Sequence, residues 1–263
     1  MSWIEAFILG LIQGLSEFLP ISSSGHLELG KIILNIETKD SLTFTVVVHG
    51  ATVLSTIIIF WKDIVSIFKD VIEFKWNEST KYMVKIFISM IPVAIIGFFF
   101  QDEVKTLFSG NLLLVGSMLI LTSLLLAATV YSKPKDKAVS FLDSAIIGIA
   151  QAIAIIPGIS RSGSTIATGL LLGNKKESVA RFSFLMVIIP IVGANLKDVI
   201  SGAPATEATI GTLPLIVGFL AAFISGLLAC KWMIKIVKNG NLIYFSLYCL
   251  IVGLVAIIVN YIG

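Results

Sequence analysis

The sequence predicts an all-α polytopic membrane protein, with six transmembrane helices plus two re-entrant helical hairpins arranged as an inverted-topology repeat. Three observations predict it. The 263 residues are 57% hydrophobic and 13% charged, against about 25% charged in soluble domains, so the bilayer must be the solvent for most of the chain. Six apolar segments reach the roughly 20 residues that a helix needs to cross the hydrocarbon core. Two further segments are long but broken by Gly, Pro, Ser and charged residues, and they are copies of each other.

The first broken segment runs over 3–34 and is interrupted by Glu17, Pro20, Ser22 to Ser24, Gly25 and His26. The chain begins Met1-Ser2-Trp3-Ile4-Glu5 with no basic residue before the apolar run, which reads as mature protein and not as a signal peptide. A first span follows at 42–60. Residues 63–82 carry spaced apolar residues (Ile64, Ile67, Phe68, Val71, Ile72) with Trp61 and Trp76 near the ends, the pattern of an interfacial anchoring helix. Spans at 83–100 and 111–131 complete the first half.

The second broken segment, 142–173, is interrupted by Pro157, Gly158, Ser160, Arg161, Ser162, Gly163 and Ser164. Spans at 180–200, 211–230 and 242–262 follow. Pro92, Pro190 and Pro214 read as helix kinks or starts, and Gly193, Gly218 and Gly226 as packing positions. Asn195 reads as an interhelical hydrogen-bonding residue. His49 reads as a packed or hydrogen-bonded helix residue, and Cys230 and Cys249 as small buried hydrophobes, since neither belongs to a CxxC pair.

The broken segments align without a gap at an offset of 138. Gly10 falls on Gly148, Gln13 on Gln151, Ser22 on Ser160, Ser24 on Ser162 and Gly25 on Gly163. One membrane domain made of two halves, about 1–132 and 133–263, is the reading. Corresponding broken segments in two halves point to a binding site at the bilayer midplane. With the second segment re-entrant, 14 of the 19 basic residues fall on one side of the membrane, and the positive-inside rule prefers that arrangement to a crossing. Three spans then separate the hairpins, which inverts the second half. Both termini are expected outside and the site is expected to open outward.

The first tip reads Gln13-Gly-Leu-Ser-Glu17-Phe-Leu-Pro20-Ile-Ser22-Ser23-Ser24-Gly25-His26, and the second reads Pro157-Gly158-Ile-Ser160-Arg161-Ser162-Gly163-Ser164-Thr165. An isolated charge at the bilayer centre costs roughly 2.5–3.5 kcal/mol on the insertion scale, so ionisable residues there are functional candidates. A purely structural alternative has Glu17 and Arg161 paired to hold the halves together. Arg, hydroxyls and glycine-loop amides suit tetrahedral oxyanions. Ser beside His is a minimal nucleophile and base, and Glu17 suits either a base or a ligand of a divalent cation. The chemistry points to phosphate, and the location to a lipid that carries it. No Walker loop, GxGxxG or HExxH occurs, so ATP-driven transport, dinucleotide chemistry and zincin proteolysis lack support.

At these residues the chain resembles the BacA-type undecaprenyl-diphosphate phosphatases. The matching stretches are Gly10 to His26, Pro157 to Thr165, the continuation to Gly173, and Phe182 to Phe184. The resemblance implies hydrolysis of undecaprenyl diphosphate to the monophosphate, recycling of the cell-wall lipid carrier, and bacitracin resistance, in the bacterial inner membrane. It implies Ser23 as nucleophile with Glu17, His26 and Arg161 as essential partners. Gln13, Ser22, Ser24, Gly25, Ser160, Ser162, Gly163 and Thr165 would form the diphosphate pocket. It also implies a divalent cation, Mg²⁺ or Ca²⁺, bound with the substrate and touching Glu17. Many members carry Glu where this chain has Gln13, so a site of two carboxylates is not expected. The partners implied are the polyprenyl diphosphate and membrane lipids, with no nucleic acid, and a homo-oligomer is compatible. The rival reading is a flippase of the lipid carrier, which needs phosphate contacts but no nucleophile.

Overall fold

The computed structural model describes residues 1–36, 38–108, 110–133, 137–193, 210–239 and 241–262. The first broken segment is α1 (Trp3–Phe18) and α2 (Ser23–Ile33), and the second is α8 (Phe141–Ile153) and α9 (Arg161–Leu171). Between them lie α3 (Thr38–Ile59), α4 (Trp61–Ile72), α5 (Glu78–Phe99), α6 (Gln101–Leu107) and α7 (Leu112–Ala128). After them come α10 (Lys176–Met186), a helical stretch α11 at 188–193, α12 (Thr212–Asn239) and α13 (Ile243–Ile262).

Four helices among the described residues, α5, α7, α12 and α13, are long and apolar enough to cross a membrane. The bent pair α3 and α4 makes a fifth if counted as one span. The sixth expected span, 180–200, lies partly outside the described residues, as does Asn195. Its described part breaks at Val187, between α10 and α11. Pro190 accounts for the break, because it has no N–H to donate to Met186 four residues back and its ring crowds that carbonyl.

The expected interfacial helix over 63–82 needs correction. Helix α4 ends at Ile72 and α5 already begins at Glu78. Phe74 takes a positive φ of 54°, and the Asn77 side chain accepts from the Thr80 N–H at 2.8 Å to start α5. A cap and a left-handed residue thus divide a stretch whose apolar spacing alone reads as continuous.

The helix starts extend the repeat beyond its matched residues. Ser2 and Glu5 form a capping box at the start of α1, and Ser140 and Asp143 form one at the start of α8. These pairs are 138 residues apart, and each satisfies two backbone donors that the first turn leaves open. Packing follows the same offset. Helix α1 lies along α12 and α8 lies along α5, and α5 and α12 are themselves counterparts. Helices α7 and α13 pack on each other where Gly116 and Gly253 meet. A Cβ on either would sit 2.7–2.8 Å from the other's carbonyl oxygen, so only glycine permits this approach. Gly218 and Gly226 are packed closely, by Phe44 and Ser55, and Gly193 has no neighbour within 4 Å among the described residues. Cys230 and Cys249 are free and buried.

Candidate active site

Helix α1 ends at Phe18 because Pro20 lacks an N–H to continue it. The chain then turns and α2 doubles back, so that Gly30 lies against Leu9 and Ile12 of α1. The turn contains Ser22 at φ 72° and ψ 96°, a conformation that costs a non-glycine residue of order 1–3 kcal/mol. Hydrogen bonds hold it there. The Ser22 hydroxyl accepts from the Gly25 N–H at 3.2 Å and lies 3.3 Å from the Ser24 hydroxyl. The Ser22 carbonyl accepts from the His26 N–H at 3.1 Å.

The second tip repeats this pattern. The Ser160 hydroxyl accepts from the Gly163 N–H at 3.0 Å and lies 3.3 Å from the Ser162 hydroxyl, and the Ser160 carbonyl accepts from the Ser164 N–H at 2.8 Å. Gly158 supplies the turn at φ 96°. Thr122 of α7 fixes this turn by donating to the Gly158 carbonyl at 3.1 Å and accepting from the Ser160 N–H at 3.0 Å.

The two tips touch. A Cβ on Gly25 would lie 3.1 Å from the Gly158 Cα, and one on Gly163 would lie 3.2 Å from the Pro20 Cβ. These contacts exchange under the 138 offset. The Ser162 hydroxyl donates across the seam to the Leu19 carbonyl at 3.2 Å.

Glu17 sits at the centre of the polar groups. One carboxylate oxygen accepts from the Arg161 guanidinium of the other tip. The other accepts from the Ser23 hydroxyl at 2.6 Å and from the Gln13 side-chain amide at 2.9 Å. The side chains of Glu17 and Arg161 are 6% and 18% exposed, so the carboxylate is buried and the guanidinium largely so, and each is the other's compensation. Gln13 Oε1 is buried with no hydrogen-bond partner among the described residues, and so are both polar atoms of its counterpart Gln151.

His26 stands apart from this centre. Its Nδ1 donates to the Ser22 carbonyl at 2.8 Å, since a carbonyl only accepts. That leaves Nε2 to accept from the Tyr248 hydroxyl of α13 at 2.9 Å, with the two rings nearly parallel at 12°. Thr165 gives its hydroxyl to the Arg161 carbonyl at 2.9 Å and pairs with Ser183 of α10. The tips therefore gather Gln13, Glu17, Ser22, Ser23, Ser24, Gly25, Ser160, Arg161, Ser162 and Gly163, while the side chains of His26 and Thr165 are engaged outside the Glu17 cluster.

Four contributors carry no signal in the tip motifs. Tyr248 and Thr122 meet the tips from α13 and α7, and Ser183 holds Thr165 from α10. His49, read from sequence as a packed or bonded helix residue, does bond its own helix through Nδ1 to the Thr45 carbonyl at 2.8 Å. Its Nε2 also faces Glu17 at 3.9 Å. The tip motifs do not contain it, since it belongs to neither broken segment. A small, partly open cavity adjoins Glu17 and Arg161, walled by Phe18, Thr52, Thr56 and Phe184.

Comparison with known proteins gives a consistent result. The family described as Bacitracin resistance protein BacA matches residues 6–255. An undecaprenyl-diphosphatase of Bacteroides fragilis is 57% identical over 264 residues, covering 99% of each chain. One of Parabacteroides distasonis is 56% identical over 260 residues, covering 98% of each. One of Christiangramia forsetii is 52% identical over 263 residues, covering 99% of each.

Proposed function

The chain belongs to the bacitracin resistance protein BacA family, and on that premise we propose that it is an integral-membrane phosphatase acting on undecaprenyl diphosphate. It releases phosphate and regenerates the monophosphate carrier for cell-wall synthesis, and thereby confers bacitracin resistance. The observation that carries the reading is the Ser23 hydroxyl bonded at 2.6 Å to a carboxylate that Arg161 of the opposite tip also holds. A hydroxyl with an adjacent base, beside a largely buried guanidinium, is what phosphoryl transfer needs.

The diphosphate enters between the tips while the isoprenoid tail stays among the spans. Arg161 turns part of its donor fork from Glu17 to the terminal phosphate, where it stabilises charge that develops in the transition state. The Ser23 oxygen attacks the terminal phosphorus and its proton passes to Glu17. The bond from phosphorus to the bridging oxygen breaks, and its electron pair leaves with the lipid monophosphate. Water then attacks the phosphorus of the phosphoserine, the bond from phosphorus to the Ser23 oxygen breaks, that oxygen takes back the proton held on Glu17, and inorganic phosphate leaves. His26, held as the Nδ1–H tautomer with Nε2 as acceptor, serves this second step by taking the proton from water once Tyr248 releases it.

A divalent cation fits the residues present in a limited way. Among the described residues no three His, Cys, Asp or Glu side chains gather, and both oxygens of Glu17 are engaged. The partnerless Gln13 Oε1 is the kind of oxygen that Mg²⁺ or Ca²⁺ accepts. Glu17 and Gln13 would hold the cation together with the substrate, and it would neutralise phosphate charge. The hairpins enter from opposite faces as an inverted repeat, with both termini outside and the site opening outward. The clustering of 14 of 19 basic residues on one side supports that topology.

The test is phosphate release from undecaprenyl diphosphate by purified protein with Mg²⁺ or Ca²⁺, wild type against Ser23→Ala and Arg161→Ala. Wild type should release phosphate and both variants should lose at least about 100-fold. Full activity in Ser23→Ala would remove the nucleophile assignment, and a wild type that releases none would remove the hydrolase reading.

A further inference from the structure

Helix α4 presents three stripes. Ile64, Ile67 and Val71 face the protein, with Ile67 6% exposed and the other two packed on the core. Trp61, Val65, Phe68 and Ile72 form a second, apolar stripe turned outward, in which Trp61, Phe68 and Ile72 are 58%, 55% and 68% exposed. Lys62, Ser66 and Lys69 form a third along its border, all three exposed. Trp61, Lys62, Val65, Ser66 and Lys69 together line one open groove. The helix leaves the direction of α3 by 72°. With α3 inserted in the bilayer, α4 then runs along the membrane surface, the posture of an interfacial amphipathic helix.

The charges of α4 are divided unevenly between protein and surroundings. Asp63 is bonded to Arg181 of α10 at 2.6 Å, and Asp70 accepts from the Ser79 hydroxyl at 2.5 Å. Both acidic residues of the helix are thus engaged by the protein. Lys62 and Lys69 have no acidic partner among the described residues, and both reach into the groove. They are seven positions apart, hence on one face about 10 Å from each other along the axis, with the Ser66 hydroxyl between them.

We propose that this groove on α4 binds the headgroup of an anionic phospholipid. The Lys62 and Lys69 ammonium groups and the Ser66 hydroxyl take the phosphate, and Trp61, Phe68 and Ile72 lie against the acyl chains. The outward apolar stripe selects a lipid over a soluble anion, because Trp61, Phe68 and Ile72 remain more than half exposed against the described residues. The unpaired lysines select an anionic over a zwitterionic headgroup. The inference is independent of the hydrolytic reaction and stands whichever substrate the tips receive.

The test uses the full chain with Trp3, Trp76 and Trp232 replaced by Phe, so that Trp61 is the reporter. The protein is reconstituted in phosphatidylcholine vesicles with a brominated quencher lipid, either phosphatidylglycerol or phosphatidylcholine, at equal mole fraction. Brominated phosphatidylglycerol should quench Trp61 more strongly, and the preference should fall as ionic strength rises. Removing each lysine, as in Lys62→Gln with Lys69→Gln, should cut the preference about five-fold per residue. Lys62→Arg with Lys69→Arg should keep it. Equal quenching of the parent by the two lipids overturns the proposal. So does a preference abolished by inorganic phosphate but not by chloride at the same ionic strength, which would identify a free-anion site.

Discussion

Glu17→Gln removes the charge that holds Arg161 across the two tips while keeping the size and shape of the side chain. The structure sets the scale of the effect. The partners are 6% and 18% exposed, so the guanidinium left behind cannot simply return to water. Removing one member of a buried pair costs about 3–5 kcal/mol. Arg161 keeps slight access, which places the expected cost near the lower end, about 3 kcal/mol. Arg161→Leu leaves Glu17 with Ser23 and Gln13 as donors and His49 nearby, so its cost should be smaller, about 2 kcal/mol. The double variant has no buried charge to strand and should cost about as much as one single variant rather than their sum, giving a coupling of about 2–3 kcal/mol. Dodecyl sulfate titration of purified protein in mixed micelles, followed by circular dichroism, reads this cycle. Phosphate release reads the other half of the argument, because all three variants should lose at least about 100-fold whatever their stability. Additive costs, with coupling below about 0.5 kcal/mol, would refute the claim that the pair joins the halves. A stable double variant with wild-type turnover would refute the role of the pair in the reaction.

Three further outcomes follow from particular contacts. Gly14→Ala would put a methyl group 2.0 Å from the Ser225 hydroxyl and 2.4 Å from the Ala222 carbonyl. It should separate α1 from α12 at a cost of about 1–3 kcal/mol, read by the same dodecyl sulfate titration. Tyr248→Phe keeps the ring beside His26 but removes the donor to Nε2. It should raise kcat by up to about five-fold, the worth of the one hydrogen bond that no longer has to break before Nε2 can act, with KM for the lipid little changed. A wild-type or lower kcat would show that release of Nε2 from Tyr248 is not a step of the reaction. At the mouth of the second hairpin, burial works to raise the Asp143 pKa. Hydrogen bonds from the Lys137 ammonium and from the Ser140 hydroxyl and N–H outweigh burial and hold it below the usual value. A depressed folded-state pKa means that this stabilisation is present above the unfolded Asp value and is lost as pH falls through the folded value. Unfolding midpoints for wild type and Asp143→Asn should therefore differ at neutral pH and converge in acid. A constant difference across that range would refute the assignment.

The broken segments show how far local pattern carries. Pro20 and Pro157–Gly158 mark the turns correctly because they act on the backbone of their own chain segment. The 138-residue offset also predicts, without being read that far, the paired capping boxes at Ser2 and Ser140. The division of 63–82 at Phe74 was not legible, because apolar spacing continues through the turn. The same limit applies at Val187, where a hydropathic run hides the effect of Pro190 on the preceding turn.

The sequence by itself determined that this is a membrane protein with two repeated polar tips, one bearing Glu17, Ser23 and His26 and the other Arg161. Composition and spacing are one-dimensional quantities, and the cost of placing such residues in lipid follows from them directly. Only the tertiary structure decided how those groups are paired. Arg161 meets Glu17 across 144 residues, and Ser23 donates to Glu17 and not to His26. His26 is turned instead to Tyr248, 222 positions away, and His49 approaches Glu17 from a helix outside both tips. Which hydroxyl, imidazole or carboxylate shares a proton depends on the contacts α1–α12, α7–α13 and tip to tip, and those are fixed by helices packing at glycine seams. No residue spacing along the chain encodes that geometry, because each partner arrives on a different helix.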